Sequence, residues 1–222
     1  MNHSAVTIPR LATNPLSLPI GQNSHLWNDA CNISLCDVTN GDIPKNSTMV
    51  MLGLYGMMLC IRFRCMAHTL KAQLTRPGSP VWNEEAVEVF LMPPNSTDTY
   101  FEIDLNPLNT ITQLSIKNNG ASGEQRVYVG DSSWRCYGLE TRVAVNGQIN
   151  RPGKCNDWSA ELFIPLTSLT KEIHEVSGLP WKANFFRIDA GDVQYAYQAW
   201  QPTGAIDFHL LAAFGKLFLN SL

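Results

Sequence analysis

Between positions 82 and 105 apolar and polar residues alternate in two neighbouring runs. In the first, Val87, Val89 and Leu91 alternate with Glu88, Phe90 and Met92. That spacing predicts a strand with one face turned to a core and Glu88 on the other. In the second, Phe101, Ile103 and Leu105 form the apolar set, while Glu102 and Asp104 share the opposite face. Pro93-Pro94-Asn95 lies between the runs and predicts a turn. Upstream, residues 47–54 and 57–65 predict paired strands about a turn near Tyr55-Gly56, with Arg62 and Arg64 on a polar face. Downstream, strands are predicted at 157–166, at 181–190 (carrying Asn184 and Arg187), at 195–200 and at 214–219, with shorter ones at 125–129 and 141–145.

Residues 66–81 and 106–122 are rich in Pro, Gly and Asn and predict loops. A single helical turn is expected over 168–174. Residues 1–19 predict an extended lead-in, and 20–222 one domain. Many short strands separated by turn residues imply an all-β, antiparallel β-sandwich with short helical turns.

Composition narrows the function. Hydrophobic residues make up 45% of the 222, enough for a sizeable core. The 16 basic and 19 acidic side chains give −3 with no long basic run, which argues against nucleic acid. The most hydrophobic stretch, 49–61, is shorter than the roughly 18–20 residues a helix needs to span a bilayer, so no membrane segment is expected. Six cysteines occur without a C-x-x-C pair. Residues 1–19 lack a charged segment followed by an apolar one, so reduced thiols and a cytoplasmic location are expected, or an extracellular one if the chain was trimmed.

Enzyme motifs are missing. There is no G-x-S-x-G, no phosphate loop and no G-x-G-x-x-G, and His174-Glu175-Val176-Ser177-Gly178 lacks the second histidine of a zinc site. The histidines have no ligand-like spacing, and no His–Met arrangement singles out a haem site. Two carboxylates are the minimum for glycoside hydrolysis, and Glu88 with Glu102 is the candidate pair for that alternative, a glycan-processing enzyme. The simpler reading is that they accept hydrogen bonds from hydroxyls. Trp82 leaves a Pro-rich loop next to them, and a flat indole suits the apolar C–H face of a sugar ring.

Several landmarks then occur in one order: Trp82-x5-Glu88-Val89-Phe90, the strand 100–106, the strand 157–166, Asn184-x-x-Arg187, Ala199-Trp200 and Phe214-Gly215-x-Leu217. This order resembles the family-nine carbohydrate-binding modules and their stand-alone relatives, over roughly residues 20–220. The resemblance implies a jelly-roll-like sandwich that binds mono- or oligosaccharides derived from plant polysaccharides such as xylan or cellulose, without catalysis and without a cofactor. It implies work beside a glycoside hydrolase. It implies that Trp82 and Phe208 clamp a sugar ring, with Glu88 reading hydroxyls, and adds Glu102, Asn184 and Arg187 as further hydrogen-bonding residues. Glu102 stands where some members carry arginine, and Phe186 where glutamine is expected. Some relatives hold structural calcium, for which Asp189 and Asp192 are the candidates.

Overall fold

The computed structural model describes residues 4–120, 125–171, 178–191 and 194–219. Fourteen strands are assigned: β1 (Ala5–Ile8), β2 (Cys31–Ser34), β3 (Cys36–Asp37), β4 (Thr48–Tyr55), β5 (Met58–Met66), β6 (Ala86–Met92), β7 (Thr99–Leu105), β8 (Ile111–Asn118), β9 (Tyr128–Asp131), β10 (Glu140–Gly147), β11 (Cys155–Pro165), β12 (Trp181–Asp189), β13 (Ala196–Ala199) and β14 (Gly215–Leu219). They form two sheets. One runs β1-β14-β12-β6-β7-β8-β9, with β13 joined to β12 and β3 to β13; the other runs β10-β11-β5-β4-β2. All strand pairs are antiparallel except β1 with β14. The expected sandwich is present, and the helical content is short 3-10 turns.

The core follows from the alternation. Val87, Val89 and Leu91 of β6, with Ile103 and Leu105 of β7, meet Ile61 and Phe63 of β5 and Leu162 and Ile164 of β11 in one buried cluster. Each such side chain contributes roughly 1.5–3 kcal/mol on burial. A one-residue slip in register would turn the whole set outward, so the pattern fixes the pairing.

The other face of the larger sheet is not open either. Phe90, Met92, Tyr100, Ile116 and Phe186 form a second cluster with Ala199 and Phe214, against which Tyr197, Phe208 and Leu211 pack. The chain returns across this face after β13. The polar side chains of β6 and β7 therefore lie beneath a cover.

Two expectations are corrected. Residues 111–118, expected as loop, are β8: Thr112, Leu114 and Ile116 share a face, but the Gln and Ser between them mask the period. Residues 5–8, expected as part of an extended lead-in, pair with β14 from Ala5–Lys216 to Ile8–Leu219, and Ile8 is fully buried. The helical turn expected at 168–174 is a 3-10 turn at Leu166–Ser168, and positions 172–174 lie outside the described residues. No helix among the described residues is long and apolar enough to cross a membrane.

Candidate functional site

The second face of the larger sheet carries a pocket of about 450 Å3. Glu88, Glu102, Leu114, Ile116, Tyr128, Ile188 and Tyr197 come from the sheet, and Trp82 and residues 206–209 surround them. A larger hollow of about 850 Å3, between residues 93–101 and 167–171, is lined mainly by hydroxyl and amide side chains with Trp134 and Arg135. It lacks buried ionisable groups. The smaller pocket has the chemistry.

Trp82 is presented by a 3-10 turn, Val81–Asn83. Val81 is fully buried and anchors the turn, whereas Trp82 is 38% exposed. The backbone there is held from outside: Thr112 donates its hydroxyl to Ser79 O, and Tyr195 donates to Asn83 O at 3.0 Å. Of the three glutamates that follow, only Glu88 reaches the pocket. Glu84 accepts from the amides of Gln73 and Leu74 and from Asn106 Nδ2, tying down the loop after β5. Glu85 points between the sheets.

Phe208 arrives on the returning segment. Val38 O accepts from the amides of Thr203 and Gly204 at 2.9 and 3.0 Å, and His209 O accepts from Asn118 Nδ2 at 2.8 Å. The Phe208 ring stacks on Phe186, with centroids 4.1 Å apart and planes 7° apart. His209 stacks on Tyr128 at 4.1 Å. The Tyr100 hydroxyl and His209 Nδ1 share a hydrogen bond. Burial holds the imidazole down to about 4, so it is neutral at pH 7. His209 Nδ1 is 3.9 Å from Glu102 Oε2, too long for a hydrogen bond, and a neutral ring leaves no ion pair there.

The pocket floor is a cluster of acids. Glu88 of β6 pairs in register with Asp104 of β7, and Glu102 lies two residues along the same face. All three are buried, and one oxygen from each lies within 4.8 Å of the others. Glu88 Oε1, Glu102 Oε2 and both oxygens of Asp104 have no hydrogen-bond partner outside the cluster among the described residues, while Glu102 and Asp104 hydrogen-bond to each other. Two ionised carboxylates at that separation repel by about 3–4 kcal/mol at an effective dielectric constant of about 20, and each carries a desolvation penalty of several kcal/mol. Protonation relieves both. Desolvation accordingly pushes Glu102 up to about 8, and desolvation together with the neighbouring carboxylates raises Glu88 and Asp104 well above the usual range. Asp104 was read from the sequence only as sharing Glu102's face; its period-two spacing from Glu102 was the signal for including it.

Two expected ligand-binding residues are not in this pocket. Arg187 is fully buried and faces the other sheet. Its Nε donates to Glu85 Oε1 at 2.9 Å and its Nη1 to Met66 O and Thr48 Oγ1, while Trp158 Nε1 donates to the same Glu85 oxygen. Position 187 is odd on a strand whose pocket face is 184, 186 and 188, so the side chain must enter the core and find its partners there. Asn184 is on the correct face but is fully buried. Its Nδ2 donates to Gln201 O, and its Oδ1 accepts from Gln201 N and Phe185 N. It pins the start of the covering segment and, fully buried, does not reach the pocket.

Asp189 lies 3.4 Å from Arg187 Nη2 and accepts from Asn46 Nδ2. A guanidinium beside it does not fit a calcium ligand. Asp192 lies outside the described residues. All six cysteines are free thiols.

Solved structures share this architecture. A candidate carbohydrate-binding protein from Bacteroides uniformis aligns with a TM-score of 0.72 at 19% identity, over 99% of this chain and 100% of its own. A family 9 carbohydrate-binding module from Caldicellulosiruptor kristjanssonii, solved with glucose, aligns at 0.62 and 12% identity over 99% of this chain and 97% of its own. The same organism's module with cellotriose gives 0.63 and 12%, over 99% and 95%. At such identities the likeness is one of fold. No curated protein matches the chain. The sequence itself supplies the stronger link, because residues 54–219 match the profile of carbohydrate-binding family 9. With most of its length inside that match, the chain belongs to carbohydrate-binding family 9.

Proposed function

We infer that the protein binds a saccharide in the pocket bounded by Trp82 and Phe208, without transforming it. One observation carries this reading: a half-exposed indole and a fixed aromatic stack stand beside buried acidic side chains with free acceptor capacity. Trp82 offers a ring face to the C–H side of a pyranose, and Glu88 and Glu102 face its hydroxyls. The related modules bound to glucose and cellotriose support a glucose-containing saccharide as ligand; a plant-polysaccharide source and a glycoside hydrolase as working neighbour complete the reading. Calorimetric titration of the intact chain against neutral and amino mono- and oligosaccharides tests the reading. Binding that is lost in Trp82→Ala supports it; a folded protein that binds no member of the panel overturns it.

The enzyme reading keeps one observation in its favour. Glu102, pushed up to about 8, holds a proton at neutral pH as a general acid must. Hydrolysis of aryl glycosides that disappears in Glu88→Gln would establish that alternative.

A further inference from the structure

We propose that the saccharide this pocket prefers carries a protonated amino group, seated on Glu88 and Glu102 and reaching Asp104. The proposal rests on the saccharide reading and names the class of sugar.

The floor presents three carboxylates, each at least nine-tenths buried, with four oxygens that nothing outside the cluster satisfies among the described residues. Glu88 and Glu102 line the open pocket, and Asp104, fully buried, faces Glu88 across the β6–β7 ladder. An ammonium group has three N–H donors and no acceptor. Charge-assisted N–H···O bonds of about 2.7–2.9 Å place three acceptors around one tetrahedral nitrogen roughly 4–5 Å apart. The three acids offer atoms within 4.8 Å of one another. The count and the spacing both fit.

Among the described residues the pocket wall carries no cation, and Arg126 stands at its edge over Tyr128. No lysine or arginine is among the described residues that line it. Asp207, the remaining acid at the rim, is already paired with Arg126, and His209 is neutral. A hydroxyl brings donors but no charge, so a neutral sugar leaves the acids either repelling one another or protonated. An ammonium pairs with one acid that gives up its proton to solvent, while the acids that keep theirs still present carbonyl oxygens to its other N–H donors. Around the floor stand Trp82, Tyr128, Tyr197 and Phe208. Aromatic faces attract an organic cation while covering the apolar side of its ring. A bare divalent ion is served less well, because calcium takes six to eight oxygens and these walls are carbon.

The test is titration of the intact, unaltered chain at low salt and fixed neutral pH with glucosamine, N-acetylglucosamine and glucose. Glucosamine should bind about tenfold more tightly than glucose, acetylation of the amine should remove that advantage, and added salt should weaken glucosamine alone. Glu102→Gln, or Glu88→Gln should that variant fold poorly, should shrink the glucosamine preference. Glucose binding as tightly as glucosamine overturns this proposal and leaves the saccharide reading standing. Silence toward all three and toward the wider panel removes both. Stoichiometric binding of calcium chloride alone, lost in Glu102→Gln, assigns the acids to a metal and overturns the proposal.

Discussion

Glu88 and Asp104 stand opposite one another in the ladder between β6 and β7, two buried carboxylates at a position where like charges destabilise a sheet. The fold tolerates them by keeping protons on the cluster. Glu102 has an ordinary value of 4.5 and about 8 in the folded chain, so the folded state binds the proton more tightly than the unfolded state. Its contribution to stability is full below 4.5 and is lost as pH rises through 8. His209, depressed to about 4, acts oppositely below its ordinary 6.5, so the window lies above that, where the six thiols, raised above their ordinary 9.0 by burial, add to the fall as pH nears 9. Urea denaturation without ligand should show stability falling by about 1–2 kcal/mol from pH 7 to pH 9. In Glu102→Gln the slope should flatten. A wild-type curve that is flat or rises across this window contradicts the protonated cluster.

The two pocket aromatics should separate affinity from stability. Trp82 is anchored through its neighbour Val81, so Trp82→Ala should leave the midpoint of unfolding nearly unchanged and weaken sugar binding by about ten- to a hundredfold. Phe208→Ala removes the ring stacked on Phe186 and should reduce both. Titration and thermal melts of the same preparations distinguish these outcomes.

Arg187 should prove structural. Its removal leaves Glu85 between the sheets with only Trp158 Nε1 and the amide of Ala190 as partners among the described residues. Arg187→Met should therefore cost about 3–5 kcal/mol of stability. Binding per folded molecule should be unchanged. Pairing it with Glu85→Gln should recover part of the loss, which a double-mutant cycle measures.

Asn184 acts at one remove from the ligand. Asn184→Ala leaves the Gln201 amide and carbonyl without their partner, at about 1–3 kcal/mol each if they stay dry. The covering segment should loosen first. Hydrogen exchange at the amides of Thr203, Gly204 and His209 should quicken more than at the β5 strand, and sugar affinity should fall with it.

Much of the frame was legible because it is written at short range. The β6 and β7 alternations place Val87, Val89 and Leu91 in the core and Glu88, Glu102 and Asp104 together on the other face, and Trp82 is adjacent in sequence. What was hidden depends on partners far along the chain. Arg187 is a core residue because of Glu85, 102 positions away. Asn184 is closed off by Gln201, and the acids are buried by a segment that returns after β13. The residue pattern marked these acids as polar-face residues but carried no sign of the cover. In β8, alternation was present but written in Thr, Gln and Ser, which a hydrophobic period does not register.

The parallel pairing of β1 with β14 sets the first and last described strands side by side. Four residues in register from Ala5–Lys216 to Ile8–Leu219 put Ala5 and Leu219 roughly 10 Å apart along one sheet edge. A linker of a few residues can close that gap. The same sandwich should therefore survive circular permutation, with new termini cut into an exposed turn such as the one at Gly56 between β4 and β5, and it can be inserted whole into a loop of another protein without pulling its edge strands apart.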